Sequence, residues 1–466
     1  MAMDKQALLR QIPSVDSVLR QLGKDVAAAV SSDYITRIAR DVIEQYRQDV
    51  LSNNQCASGD AASQIIGRVQ RQIESLVKPF YRKVVNAAGI VLHTGLGRAV
   101  LPAAAMRQLQ QEMSGYSLLQ VSIEDGRRSV RDAEVERLLK LLTGAEAATV
   151  VNNNAAATAL VLNTIASGKE VIVSRGQLVE IGGSFRLPDV MEFSGAKLVE
   201  VGTTNKTHLY DYENAITDQT AAILRVHPSN YKIRGFSSEV PLKELSQLAH
   251  ENNLTMFDDV GAGSLIDFSE YGFEKEPTLI ESVNDGADVI TSSGDKLIGA
   301  SQAGIILGTA SIIKKIRKNQ FARIVRVDKL TLAALEATLK LFLANPKPFE
   351  EIPTLKMLLR PAESISRQAS ALAAKLRKAN LPCQIQTIDG FSQAGSGSFP
   401  DQNLPTKLVS IHTEAMSSVV LANRLRHYKT PVFARIQDDR VCIDPRTLLD
   451  GDDRIILEAL SEVLGS

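Results

Sequence analysis

Three short stretches hold the residue types from which amine-based chemistry can be built. The first is Ser292-Ser-Gly-Asp-Lys-Leu-Ile-Gly299, where Lys296 follows an apolar run inside a glycine-containing turn. Lysines ordinarily snorkel on surfaces. One set in a tight turn, three residues after Ser293, is better explained as a Schiff-base amine, with Asp295 beside it as a proton-transfer assistant or a turn cap. The second is Met256-Phe-Asp-Asp-Val-Gly-Ala-Gly263, which puts Asp259 at a strand end. A carboxylate there either caps the following turn or pairs with a protonated ring nitrogen. The third is Asn152-Asn-Asn154 followed by Ala155-Ala-Ala-Thr-Ala-Leu160. Free N–H groups in a helix's first turn, with only alanine methyls beside them, make a phosphate cradle of Asn153, Asn154 and Ala155. Taken alone, the stretch reads better as an asparagine-capped helix.

The elements that position these residues follow from the hydrophobic rhythm. Short β-rich runs at 148–152, 170–174, 197–201, 221–226, 254–258, 288–292 and 304–308 are mostly separated by helix-length spacers. That pattern predicts an α/β fold with a largely parallel sheet, whose ligands sit at the carboxyl ends of the strands. Before it, residues 1–80 read as helices: Leu8, Leu9, Ile12, Val15, Val18, Leu19 and Leu22 recur at helical spacing, as do Tyr34 to Tyr46, with Asp33 as the expected N-cap. A polar break at 52–60 precedes a third helical run from Ala61 to Val77. A long helix is expected from about Asp328 to Leu343, closed by Asn345-Pro-Lys-Pro348, and residues 331–466 read as a smaller α/β domain. A phosphate cradle, a strand-end acid and, one strand–helix–strand later, a lysine occur in the order used by pyridoxal 5'-phosphate (PLP) enzymes of fold type I. That cofactor needs an anion site, an acid partner for its pyridinium and an amine. The competing nucleotide signatures, GxGxxG after an early strand and the P-loop, are missing.

Composition narrows the classes further. Lys plus Arg and Asp plus Glu each number 53 in 466 residues, so the chain as a whole is not basic and any anion site depends on local placement. No uncharged apolar run reaches the 18 residues of a membrane span. Asp4 stands where a signal peptide would carry its basic head and apolar stretch. Cys56, Cys383 and Cys442 lie far apart, which disfavours structural zinc and disulfides and fits the cytoplasm.

Several longer strings resemble those of the bacterial L-seryl-tRNA(Sec) selenium transferases, the selenocysteine synthases. They include Val91-Leu-His-Thr-Gly-Leu-Gly-Arg-Ala99, Val151-Asn-Asn-Asn-Ala-Ala-Ala157, Val173-Ser-Arg-Gly-Gln-Leu-Val-Glu-Ile-Gly-Gly183, Ser293-Gly-Asp-Lys-Leu-Ile-Gly299, Arg326-Val-Asp-Lys-Leu-Thr-Leu-Ala-Ala-Leu-Glu336 and Gly395-Ser-Gly-Ser398. The resemblance spans essentially the whole chain. It implies conversion of seryl-tRNA(Sec) to selenocysteinyl-tRNA(Sec) through an aminoacrylyl-tRNA intermediate, with PLP on Lys296 and Asp259 at the pyridine nitrogen. It implies that Arg98, Arg323 and Arg326 line the selenophosphate site, that residues 1–80 grip the tRNA, that 81–330 carry catalysis, and that the chain assembles as a ring of dimers. Arg323 and Arg326, three apart at the start of the long helix, can face one side; without the resemblance they read as a salt-bridged surface pair. Arg37, Arg40 and Arg47 can share one helix face, and Lys78, Arg82 and Lys83 crowd the end of the helical segment.

The chain departs from the family pattern around the pocket: Gly299-Ala-Ser-Gln-Ala-Gly304 replaces Gly-Gly-Pro-Gln-Ala-Gly, Asp259-Val-Gly-Ala-Gly263 replaces Asp-Leu-Gly-Ser-Gly, and Gln120-Val-Ser-Ile123 replaces Glu-Tyr-Asp-Leu. Lys296 and the three arginines are untouched. Tyr231, Asn230 and the Ile181–Ser184 turn either border the pocket or serve packing, and His93 either stacks on the cofactor or, the plainer reading, is a satisfied structural histidine. Two other functions compete: a paralogous PLP lyase on a small amino acid or amino sugar, and a catalytically silent tRNA-binding protein.

Overall fold

Runs of Val, Ile and Ala with every residue buried form the strands Ala147–Val151 (β2), Val289–Ser293 (β9) and Gly304–Gly308 (β10). Burial on both faces is the mark of a sheet covered by helices on either side. With Glu170–Ser174 (β3), Lys197–Val201 (β6), Thr220–Val226 (β7) and Thr255–Gly261 (β8), they make one seven-stranded sheet in the order β2-β10-β9-β8-β7-β3-β6. The pairings β6–β3–β7–β8–β9 are parallel, while β10 runs antiparallel to both β9 and β2. Only ten residues separate β9 from β10, too few for the crossover that a parallel neighbour needs. The lysine turn is this short connection.

The structure is a computed structural model and describes residues 5–22, 30–52, 60–183, 185–344 and 347–465. Cys56, the 53–59 part of the polar break, Ser184 and residues 345–346 lie outside the described residues, as does the side chain of Leu8. The chain divides into two units, Met1–Lys83 and Val84–Ser466. In the first, Val15–Gln21, Ser32–Leu51 and Ala61–Val77 are helices packed through Val18, Ile35, Val42, Tyr46, Ile65 and Val69. Asp60 caps the last of them by accepting from the N–H groups of Ala62 and Ser63. Asp33 is not an N-cap: Ser31 holds that position without a side-chain bond, and Asp33 lies in the first turn, where its charge suits the helix dipole. Arg37, Arg40 and Arg47 are exposed on the helix Ser32–Leu51, with Arg47 paired to Glu44 at 2.6 Å.

The second unit also holds a five-stranded sheet, in the order Val85–Ala87, Val432–Gln437, Arg440–Ile443, Leu404–His412 and Gln384–Ser392. Gln384–Ser392 (β11), Leu404–His412 (β12), Val432–Gln437 (β13) and Arg440–Ile443 (β14) come from the C-terminal part, but Val85–Ala87 (β1) comes from before the large sheet and pairs parallel with β13. The helices Ala362–Lys378, Ser418–His427 and Asp452–Gly465 cover it. The long helix is Lys329–Ala344. Arg323 and Arg326 do not lie at its start: Arg323 belongs to the short helix Gln320–Ile324, and Arg326 follows in extended chain bridged to Val151. Among the described residues, no helix is long and apolar enough to cross a membrane.

Close backbone approach fixes the junction of the lysine turn with the asparagine turn. A Cβ at Gly304 would fall 2.1 Å from the Asn153 carbonyl oxygen and 2.9 Å from Val151 Cγ2. Gly304→Ala must therefore push β10 off β2, and overpacking of this kind costs about 1–3 kcal/mol. A urea titration is expected to show a lowered midpoint; an unchanged midpoint would contradict the close approach.

Candidate active site

Asp258 and Asp259 are successive residues of β8, so their side chains leave opposite faces of the sheet. Asp259 is 3% exposed, and its carboxylate accepts three hydrogen bonds: Asn154 Nδ2 at 2.9 Å and Thr291 Oγ1 at 3.0 Å on Oδ1, and Thr158 Oγ1 at 2.9 Å on Oδ2. Asn154 and Thr158 stand one turn apart on the helix Asn154–Ala166, and Thr291 is Asp259's in-register neighbour on β9. Burial pushes the Asp259 pKa up; the three donors and the charge of Lys296 pull against it. Asp258, fully buried on the other face, accepts from Ser282 Oγ at 2.7 Å and lies 3.6 Å from Arg225. Of the two, only Asp259 meets the asparagine turn.

Lys296 is 8% exposed in the turn between β9 and β10. The turn is closed by Gly294 N–H to Ala303 O at 2.8 Å, Ala300 N–H to Gly294 O at 2.9 Å and Gly299 N–H to Lys296 O at 3.0 Å, with Gly299 at φ 73°. The left-handed φ at Gly299 is one that a β-carbon disfavours. Burial lowers the Lys296 pKa, as does repulsion from Arg98, while Asp295 and Asp259 raise it. Asp295 pairs with Arg98 Nη1 at 2.8 Å. Arg98 holds φ 60°, which turns the chain after the glycine-rich 94–97 segment toward the lysine turn.

The asparagine turn serves two roles. Asn153 Oδ1 accepts from Ala156 N–H at 2.9 Å and caps the helix, as the plainer sequence reading holds. Asn154 is turned to Asp259 instead, and Ala155 is an exposed first-turn residue. Gln302 Nε2 reaches the Asn152 carbonyl at 3.3 Å, tying this turn to the lysine turn. Ser293 is buried at the end of β9. The Gly395–Ser398 loop also arrives here: Ser396 Oγ donates to Leu92 O at 2.6 Å and lies 3.0 Å from Thr94 Oγ1.

Other expectations are corrected. His93 is not a satisfied histidine, because its buried Nδ1 has no hydrogen-bond partner. For Tyr231 and Asn230 the packing alternative fits, since they donate hydrogen bonds to the carbonyls of Gly176 and Glu180. Arg323 and Arg326 are exposed and, among the described residues, in no ion pair, so they are not a salt-bridged pair. They line one cavity of about 490 Å³, whose walls do not include Lys296, Asp259 or Arg98. A single chain therefore gathers Lys296, Asp295, Arg98, Asp259, Asn154 and Ser293 at the sheet's carboxyl edge, while Arg323 and Arg326 line a separate cavity, with Arg326 bridged to Val151. Thr158 and Thr291 went unnoticed in the sequence; the helical spacing from Asn154 to Thr158 was the available signal.

The electrostatics of the lysine turn yield a paired expectation. Arg98→Ala removes a repelling charge and leaves Asp295 unopposed, so both effects raise the Lys296 pKa. Asp295→Ala leaves Arg98 unopposed and lowers it. The pH midpoint for trapping a small aldehyde on Lys296 with cyanoborohydride, in cofactor-free protein, is expected to move up in the first variant and down in the second. Shifts of the same sign would contradict the geometry.

Comparison with known proteins identifies the family. Residues 84–449 match the family described as L-seryl-tRNA selenium transferase. A protein of Alkaliphilus metalliredigens described as L-seryl-tRNA(Sec) selenium transferase is 46% identical over 465 residues, covering 99% of this chain and 100% of that one. One of Clostridium perfringens with the same description is 45% identical over 459 residues, 98% of each chain. The solved structure of a D-glucosaminate-6-phosphate ammonia-lyase superposes with a TM-score of 0.57 at 21% identity, over 84% of this chain and 98% of that one. The likeness is one of fold, the type I fold of PLP-dependent enzymes. With the family matched from 84 to 449 and full-length relatives at 45–46% identity, the chain belongs to the L-seryl-tRNA selenium transferase family.

Proposed function

We propose that this chain converts L-seryl-tRNA(Sec) to L-selenocysteinyl-tRNA(Sec), with PLP as cofactor and selenophosphate as selenium donor. The observation that carries the reading is the buried amine of Lys296, with lowered pKa, set at the same sheet edge as a carboxylate held by three donors. The residues fit the cofactor. Asn154 Oδ1 is a buried polar atom without a partner among the described residues, and Asp259 offers a buried acid to a ring nitrogen. Lys296 would hold the cofactor aldehyde, Asp259 its ring nitrogen, and Asn153, Asn154, Ala155 and Ser293 its phosphate. When bound, PLP supplies an electron sink for the charge left as serine loses its α-proton.

The chain's own residues supply the rest. Asp259 holds a proton on the ring nitrogen. A lowered pKa suits Lys296 to take the α-proton and to return a proton to the departing β-hydroxyl. Asp295 orients Arg98 through their ion pair. Arg98, Arg323 and Arg326 bind the donor dianion, to which forked guanidiniums are matched. The donor arginines lie in two places on one chain, so assembly as a homo-oligomer, a ring of dimers, is the way a second copy would complete the site. The exposed Arg37, Arg40 and Arg47 of the N-terminal helices, with Lys78, Arg82 and Lys83, are read as the grip on tRNA phosphates, with 1–80 as tRNA-binding domain, 81–330 as catalytic domain and 331–466 as the small domain. Work on charged tRNA and the free thiols Cys383 and Cys442 fit a cytoplasmic setting.

The test is transfer of labelled selenium from selenophosphate to seryl-tRNA(Sec) by the PLP-saturated protein. Wild type is expected to form selenocysteinyl-tRNA. Lys296→Ala is expected to form none. Arg323→Ala and Arg326→Ala should still eliminate water from the serine while selenium transfer falls at least about a hundredfold, the scale of losing a charge-assisted transition-state contact. No transfer by wild type would overturn the reading, and loss of elimination in both arginine variants would move them from the donor to the cofactor or ester.

A further inference from the structure

The cavity lined by Arg323 and Arg326 carries far more positive charge than those two residues. Six cationic residues line it, Arg128, Arg131, Arg317, Lys318, Arg323 and Arg326, against one carboxylate, Asp132, although the chain as a whole balances 53 Lys and Arg with 53 Asp and Glu. That carboxylate is already committed: it accepts from Thr149 Oγ1 at 2.5 Å and lies 3.5 Å from Arg317, which also pairs with Glu136 at 2.8 Å. Among the described residues, Arg128, Arg131, Arg323 and Arg326 have no carboxylate partner within ion-pair distance.

Arg131 is built into this wall. Its Nη1 donates to the Val327 carbonyl at 3.2 Å and its Nη2 to Gln120 Oε1 at 3.3 Å, while its buried Nε has no partner. Val327 follows Arg326, whose backbone bridges to Val151, and the Val325 carbonyl accepts from Asn152 N–H at 2.9 Å. The 325–327 segment is thus fastened to the sheet on one side and to Arg131 on the other. Burial and the neighbouring charges of Arg326, Arg128 and Arg323 lower the Arg131 pKa, and Asp132 only partly opposes them. Its volume, about 490 Å³, suits a small ligand.

We infer that Arg131 is a positioning residue and Arg128 a further binding residue of a site for a small phosphoryl dianion, Arg131 fixing the backbone behind Arg326 and both arginines adding their charge to it. The inference rests on the reading of Arg323 and Arg326 as donor arginines and names what holds them in place. A phosphoryl group could come from the donor, from the cofactor or from the tRNA backbone. The cavity walls lack Lys296, Asp259 and Asn154, which disfavours the cofactor, and a volume of about 490 Å³ suits a free ion better than an RNA backbone.

Calorimetric binding of inorganic phosphate to the full-length, PLP-saturated protein tests this. Wild type is expected to bind. Arg131→Met and Arg128→Gln should each weaken binding about tenfold or more, the scale of one charge-assisted hydrogen bond, and Arg131→Lys should recover part of the affinity by restoring the charge. Arg128 is exposed, so its variant reports on binding even if Arg131→Met unfolds. Wild-type affinity in both Arg131→Met and Arg128→Gln overturns the inference. If Arg323→Gln and Arg326→Gln alone lose phosphate, the donor reading stands without it. If only the Arg128 and Arg131 variants weaken, the site stands and the donor reading falls. Binding seen only before PLP is added, or displaced by an RNA acceptor hairpin, assigns the phosphoryl group to cofactor or tRNA and overturns the donor site.

Discussion

A carboxylate buried in the middle of a sheet sets the terms for everything around it. Asp259 is 3% exposed, and an uncompensated buried charge costs several kcal/mol. The helix that begins at Asn154, β9 with Thr291 and the turn that carries Lys296 each contribute a group that favours the charged form. These come from three separate stretches of chain, so the carboxylate is comfortable only when helix, strand and turn are all in place. The same placement brings the proposed acid partner, amine and anion cradle to one edge. Stability of the sheet's carboxyl end and readiness for chemistry thus rest on one network.

The short connection from β9 to β10 is the second constraint. Reversing the chain within ten residues makes β10 antiparallel and forces the turn to pack on the Asn153 carbonyl, where only a glycine fits at position 304. It also holds Lys296 in a buried place between opposing influences. Arg98 works against its proton and Asp295 for it, and their 2.8 Å pair keeps both next to the lysine. The balance is local, which is why a chain with no net charge can still build strongly polarised places.

Much of this was legible in the residues before the fold was known. The strands at 170–174, 197–201 and 304–308 end where the apolar runs end, and Lys296 and Asp259 stand out because strand ends are where an α/β sheet presents its ligands. Relations across distant sequence were not legible. Nothing in the 85–87 run indicates that it pairs with β13, some 350 residues away, because parallel partners leave no local turn signal. Arg98 and Asp295 are ordinary charges until the left-handed turn at Arg98 brings them together. Spacing alone put Arg323 and Arg326 on one helix, whereas the chain breaks its helix between them. Asp33 looked like a cap because its type fits; the helix simply begins two residues earlier.

The central claim is that the compensated carboxylate of Asp259, and not its neighbour Asp258, governs the protonation of a bound cofactor ring. The direct measurement is the ¹⁵N chemical shift of ring-labelled PLP bound to wild type, Asp259→Ala and Asp258→Ala. A protonated ring nitrogen is expected in wild type and Asp258→Ala, and an unprotonated one in Asp259→Ala. An unprotonated ring in wild type, or a ring still protonated in Asp259→Ala, would contradict it.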